Sequence, residues 1–373
     1  MNDFFEMPTS CNLLYCCGAQ HRIFKEVVMS ELRPAAPYTS ALSVRETEHA
    51  IVMIKDFFQL ALSTELNLTR VTAPLFVQSG TGLNDDLSGV EQAVSFAVPD
   101  MNNASMEIVH SLAKWKRIKL AEMKLQRGFG IYTDMNAIRA CEELDPIHSL
   151  YVDQWDWETV IAQEDRTVSF LQDTVKKIYR CLKRTEFYIY DRFPSITPVL
   201  PEKITFLFAE DLQKRMPNLN DKEREYEVCK EYGAVFIIGI GYPLADGKPH
   251  DGRAPDYDDW ITETENGRHG LNGDLLVWNP VLQTAMELSS MGIRVSPETL
   301  LLQLAQRGCT ERKKLYFHSR LLAGELPLSC GGGIGQSRLC MYFLRKAHIG
   351  EVQVSSWPEA VIRDCKARGI PLL

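Results

Sequence analysis

Apolar side chains at Ala50, Ile51, Met53, Ile54, Phe57, Phe58 and Ala61 recur at three- and four-residue spacing, which predicts an amphipathic helix over 45–66. A short β-branched run follows at 68–72 and stops at Pro74. Beyond a glycine- and aspartate-rich loop at 80–89, the pattern predicts strands at 93–98 and 107–110, a helix from Ser111, and strands at 128–133 and 148–154. It then predicts a long helix over 157–185, a strand at 204–208, a helix at 221–232 and an apolar strand at 234–240. Strands at 274–279 and 283–289 flank Pro280; helices near 297–306 and 311–323 follow, and a glycine run leads into a last helix. Many strands with irregularly interspersed helices favour an α+β fold on an antiparallel sheet over a βαβαβ pattern.

Composition narrows the function classes. The 373 residues carry 41 Lys+Arg against 49 Asp+Glu, a formal charge of −8 that opposes broad nucleic-acid affinity. With 45% hydrophobic and 24% charged residues the chain suits a globular protein with a sizeable core. No apolar run approaches the ~18 residues of a spanning helix, and the first residues lack the layout of a secretory signal. The ten cysteines form no CxxC pair, which excludes zinc-ribbon and thioredoxin readings and suggests reduced thiols in the cytoplasm. Residues 1–38, with Cys11, Cys16 and Cys17, read as an accessory extension.

Several segments carry candidate chemistry. Gly331-Gly332-Gly333-Ile334-Gly335 lets backbone approach a flat ligand and places Arg338 one turn into a helix, where it can stack on adenine or grip phosphate. A structural glycine turn is the plain alternative. The run is neither a P-loop nor GxGxxG. At period two Glu287 and Ser289 share a strand face, and Glu287 with Asp274 can hold Mg²⁺ beside polyphosphate or form a simple cross-strand pair. Arg253 to Trp260 packs three carboxylates among aromatics, a set suited to an ammonium group or to an acidic surface turn. Gln154 and Asp156 stand at strand spacing between tryptophans, and Ser111 opens a helix whose N–H groups can seat an anion. GxSxG, HExxH and metal-type histidine spacing are all missing.

Taken together, the blocks His110 to Lys116, Tyr151 to Glu158, Arg253 to Trp260, Gly270 to Asp274, Glu287 to Arg294 and Gly331 to Arg338 resemble the ammonia-dependent asparagine synthetases, the aspartate–ammonia ligases. The resemblance runs over 39–362, which it implies is the catalytic domain, and leaves 363–373 as a tail. That family is similar in fold to the class II aminoacyl-tRNA synthetase core, above all the aspartyl enzyme. The helix at 45–66 resembles motif one, which builds a homodimer interface; Arg139 resembles the motif-two arginine, and Gly333, Gly335 and Arg338 resemble motif three. Cys141 stands where motif two usually has glutamate, with Glu142 one residue later.

The resemblance implies that aspartate, Mg-ATP and ammonium become asparagine, AMP and pyrophosphate through a β-aspartyl-adenylate. It implies Arg139 at the α-phosphate, Arg338 at distal phosphates or adenine, and Asp274 and Glu287 at Mg²⁺. It further implies Lys116 and Arg294 at aspartate carboxylates, Ser111, Gln154 and Asp258 at the α-groups, and Asp85 as the seat and proton acceptor for ammonium. Glutamine is expected to be a poor nitrogen source, because position 2 is Asn and not the cysteine of glutaminase-type enzymes. The alternative is an aspartyl-tRNA synthetase-like enzyme with another acceptor. Against it stand the acidic balance and the few residues before motif one.

Overall fold

The computed structural model describes residues 34, 37–85, 87 and 91–373. The cysteine cluster and nearly all of the expected extension lie outside those residues. At its end, Tyr38 donates a hydrogen bond to Glu351 at 2.8 Å, tying it to the body.

Helix α1 (Val44–Leu66) begins in a capping box between Ser43 and Glu46 and ends at Asn67 in the left-handed region. The chain then forms β1 (Leu68–Arg70), β2 (Phe76–Gln78), β3 (Ser95–Val98), β4 (Ala104–Ile108), α2 (Ala113–Glu122), β5 (Gly130–Ile138) and β6 (Tyr151–Val160). Helix α3 (Val168–Arg192), β7 (Thr205–Phe208), α4 (Ala209–Arg215), α5 (Asp221–Tyr232), β8 (Ala234–Ile238), β9 (Asn272–Asn279) and β10 (Thr284–Ile293) follow. The chain closes with α6 (Pro297–Gln306), α7 (Tyr316–Leu322), β11 (Ser329–Gly335), α8 (Gln336–Phe343) and α9 (Glu359–Ala367).

Eight strands form one sheet in the order β1-β5-β6-β11-β10-β9-β8-β7, and β2-β4-β3 form a second, smaller sheet. The large sheet is antiparallel except at its edges, where β1–β5 and β7–β8 pair in parallel. The architecture is therefore α+β. Helices α1 and α3 cover one face, where Phe58 meets Trp155 with ring centroids 4.9 Å apart and both tryptophans of β6 are buried.

Three details depart from the sequence expectation. The helix expected from 157 starts only at Val168, because Trp157 to Val160 complete β6 between β5 and β11. The glycine run is a strand: Gly331, Gly333 and Gly335 pair with Glu158, Asp156 and Gln154. Finally, a bulge between Glu287 and Ser289 puts those side chains on opposite faces, so the shared face read from period two does not exist. At the end of the chain, α9 buries Val361 and Cys365 against Ala347 and Ile370, across the expected 362/363 boundary.

Candidate active site

The face of the large sheet turned away from α1 and α3 is polar. Pairing places Gln154, Asp156 and Glu158 of β6 on it, with Gly331, Gly333 and Gly335 beside them and Ser290 and Asp274 further along. Glycine is required there for space and not for a turn. A Cβ on Gly331 would lie 1.9 Å from Glu158 Oε2, and one on Gly333 would lie 2.3 Å from Gln154 Oε1. The bulge turns Glu287 onto the same face as Asp274.

A cavity of about 370 Å³ opens over this face. It is lined by Asp85, Ser111, Arg139, Gln154, Asp258 and Asp274, and also by Glu287, Arg294, Gly333, Gly335 and Arg338. Among the residues expected at the site, Lys116 is the exception. It is fully buried, pairs with Asp156, donates to Gly332 O at 3.0 Å and lies 3.8 Å from Glu158.

The cavity floor is a line of charges that alternate in sign. Lys116 joins Asp156 to Glu158, and Arg294 grips Glu158 through Nε and Nη2 at 3.0 and 2.8 Å while Nη1 pairs with Asp258. Arg253 continues the line, 3.5 Å from Asp258 and 2.6 Å from Asp274, and also donates to Ser290 at 2.5 Å. All seven side chains are buried, where an isolated charge would be costly and an alternating row is not. Burial opposes the Glu158 carboxylate, yet Arg294, Lys116 and Ser329 hold it below the ordinary carboxylate range. Two oxygens on this floor, Asp156 Oδ2 and Asp258 Oδ2, are buried without a hydrogen-bond partner. They are acceptors suited to an ammonium group.

Arg139 and Arg338 stand apart from the floor, each about a quarter exposed. Arg139 reaches His110 O at 3.5 Å and lies 4.0 Å from Glu142, and its Nε has no partner. Arg338 donates to Glu287 O at 3.1 Å and Ile147 O at 3.3 Å, with the Glu287 carboxylate 3.8 Å away. Their contacts are mainly to backbone carbonyls, which leaves positive charge for an anion. Near them His148 lines the cavity, its Nδ1 held 2.8 Å from Asp145.

Asp274 and Glu287 are the candidate cation ligands. The Asp274 carboxyl is pushed up to about 6, chiefly by burial; Arg253 opposes the rise, while Glu287 and Asp251 add to it. A cation between these carboxylates relieves that repulsion. Among the described residues no three His, Cys, Asp or Glu side chains gather as a metal cage. Two carboxylates plus phosphate oxygens nonetheless form the donor set magnesium commonly takes, so the pair fits.

Sequence reasoning passed over Glu158 and Ser290 and gave Arg253 no role, although the structure sets Arg253 between two expected site residues. The missing signal was the strand alternation of β6, which continues through Glu158 and puts a third carboxylate on the cavity face.

A family model described as aspartate-ammonia ligase matches residues 45–369. The aspartate–ammonia ligase of Parabacteroides distasonis is 59% identical over 92% of this chain and all of its own length. That of Clostridium perfringens (strain 13) is 56% identical over 90% of this chain and 97% of its own. Among solved structures, the asparaginyl-tRNA synthetase of Pyrococcus horikoshii complexed with asparaginyl-adenylate superposes with a TM-score of 0.63. It shares 15% identity, with 84% of this chain and 70% of that chain covered, a likeness of fold.

Proposed function

The chain belongs to the aspartate–ammonia ligase family, and we propose that it makes asparagine in two steps through an enzyme-bound β-aspartyl-adenylate. In the first step a β-carboxylate oxygen of aspartate attacks the α-phosphorus of ATP, and pyrophosphate leaves. In the second, ammonia attacks the β-carbonyl carbon and the acyl–oxygen bond to AMP breaks. Ammonium releases one proton to become the nucleophile and another as the amide forms.

The observation that carries this reading is the contrast between a floor of closely paired charges and two arginines apart from it, whose nearest carboxylates lie 4.0 and 3.8 Å away. The orphan oxygens of Asp156 and Asp258 take the α-ammonium of aspartate. Ser111, Gln154 and Arg294 orient its carboxylates, and Lys116, buried on the cavity side of β6, acts by fixing Asp156. Arg139 holds the α-phosphate; Arg338, with Gly333 and Gly335 leaving room, holds the adenine or distal phosphates. Bringing two anions into line in this way contributes several kcal/mol. Asp274 and Glu287 would hold a magnesium ion, which would neutralise phosphate charge when ATP is bound. Asp85, buried at the cavity edge, accepts the first proton of ammonium.

We further place the enzyme in the cytoplasm as a homodimer built on the exposed Val52 and Leu60 of α1. No helix among the described residues is long and apolar enough to cross a membrane. The test is product analysis with ammonium chloride, and aspartate-dependent exchange of labelled pyrophosphate into ATP without ammonium. Asparagine, AMP and exchange are expected. ADP as product, or labelled aspartate passing only to tRNA, would overturn the reading.

A further inference from the structure

A second cavity, of about 570 Å³, lies beside the first and shares Asp85 and Glu91 with it. Its outer rim is formed by the exposed Gln78 and Ser95 with the half-buried Ser79, and its inner end by Asp85, which is 4% exposed. Four carboxylates line it (Asp85, Glu91, Glu107 and Asp256) against two permanent cations, Lys114 and Arg312. Asp256 is fully buried. Its Oδ2 accepts from Lys114 at 3.1 Å and lies 3.0 Å from His318 Nε2, while its Oδ1 has no hydrogen-bond partner. Both Lys114 and Arg312 pair with that Oδ2, and the buried Oδ1 left over on the cavity wall is an acceptor for a small donor. Asn84 braces the shared wall, donating to Glu107 at 3.2 Å and to Ile108 O at 3.1 Å while accepting from His110 N at 2.8 Å.

We infer that this second cavity admits ammonium to the reaction centre from the side, past Glu107 and Asp256 to Asp85. The inference rests on the two-step reading above. Ammonia is needed only after the adenylate has formed, and at that moment the main cavity is filled by aspartyl and adenylate groups. A separate way in removes the conflict. Its chemistry selects the substrate: an ammonium ion offers four N–H donors and a positive charge to an acceptor-rich, net-negative wall, whereas aspartate and ATP are repelled by the same carboxylates.

The test narrows the outer passage without touching Asp85. Ser79 Oγ donates to Ser105 Oγ at 3.0 Å at the rim of this cavity, so Ser105→Trp and, separately, Ser79→Trp fill it. Ser105 is exposed and Ser79 half-buried, which makes folding of at least the Ser105 variant secure. The expected result is a KM for ammonium raised about fivefold or more, with the KM for aspartate and ATP unchanged. Pyrophosphate exchange, which needs no ammonium, stays at the wild-type level. An unchanged KM for ammonium in both variants would overturn the inference while exchange still supports the adenylate. Failure of exchange in the wild type would instead sink the reading beneath it. Glu107→Gln supplies a second arm, since it keeps an acceptor for Asn84 and removes only charge. The KM for ammonium should rise about threefold, while that for hydroxylamine, uncharged at pH 8, should not; an equal rise for both would refute electrostatic selection.

Discussion

The alternating floor predicts an order of damage that its members' burial alone does not. Arg294 and Glu158 are equally hidden, at 3% and 0% exposure, but their neighbours differ. Arg294→Met removes the partner of two buried carboxylates, Glu158 and Asp258; Asp258 is left with Arg253 at 3.5 Å and Glu158 with Lys116 at 3.8 Å. Breaking a buried pair in this way costs about 3–5 kcal/mol. Glu158→Gln is isosteric, and each cation it abandons keeps a nearer carboxylate, Asp258 for Arg294 and Asp156 for Lys116. Its cost is that of imperfectly satisfied donors, about 1–3 kcal/mol. Arg294→Lys keeps the charge but not the fork that binds Glu158 through two nitrogens, and it should recover little of the loss. Urea denaturation monitored by tryptophan fluorescence gives the order, since Trp155 and Trp157 lie on the same strand as Glu158. The acid limb gives a second reading. The Glu158 carboxyl sits below its ordinary value, despite burial, because Arg294 and Lys116 favour the ionised form. Its contribution is complete above the ordinary glutamate pKa of about 4.3 and drains as pH falls through the lower folded value. Glu158→Gln should lack that part of the acid loss. Finding Glu158→Gln as damaging as Arg294→Met, or Arg294→Lys near wild type, would refute the alternating-row argument.

Further outcomes follow from the same geometry. Arg338→Ala should reduce pyrophosphate exchange at least about a hundredfold with an unchanged circular dichroism spectrum; wild-type exchange would remove Arg338 from the nucleotide site. Because the Asp274 carboxyl titrates near 6, protons and magnesium compete for it, and half-saturating magnesium should rise about tenfold from pH 7 to pH 5. A flat profile would take Asp274 out of the cation site. Gly333→Ala puts a methyl 2.3 Å from Gln154 Oε1, so the KM for aspartate should rise with little loss of fold, a shift absent if Gln154 does not face substrate. Light scattering should give twice the chain mass for the wild type and a shift toward the chain mass for Val52→Glu/Leu60→Glu.

Legibility in the sequence followed how local each signal was. Helix α1 was readable almost to the residue, because its apolar stripe and the Ser43–Glu46 box are both local. The Trp155–Glu158 stretch was misread where strand gave way to helix. What makes it strand is pairing with β11, some 170 positions later in the chain. The glycine run misled for the same reason: a strand whose glycines clear space for Glu158 and Gln154 looks locally like a turn. Among the candidate residues, Asp274, Glu287, Arg139 and Arg338 were named from motif position, and the fold brings them to one cavity. Lys116 showed the limit of that approach, since the sequence carries its charge but not the buried carboxylates, Asp156 and Glu158, on which it is spent.

The division between floor and roof also explains why so many ionised groups stand in one small volume. Had Arg253 and Arg294 been left unpaired to greet substrate, each would have been a buried, uncompensated charge whenever the site was empty. Pairing them with Asp258, Glu158 and Asp274 makes the empty site tolerable and leaves two acceptor oxygens for one incoming ammonium group. Arg139 and Arg338 differ, being about a quarter exposed, so water stabilises their charge in the empty site. On the proposed reading, a substrate cation would be met by buried oxygens and a substrate polyanion by these partly exposed guanidinium groups. The asymmetry has a physical origin: an acceptor oxygen left over from an ion pair costs about 1–3 kcal/mol to bury, whereas an unpaired buried guanidinium costs more.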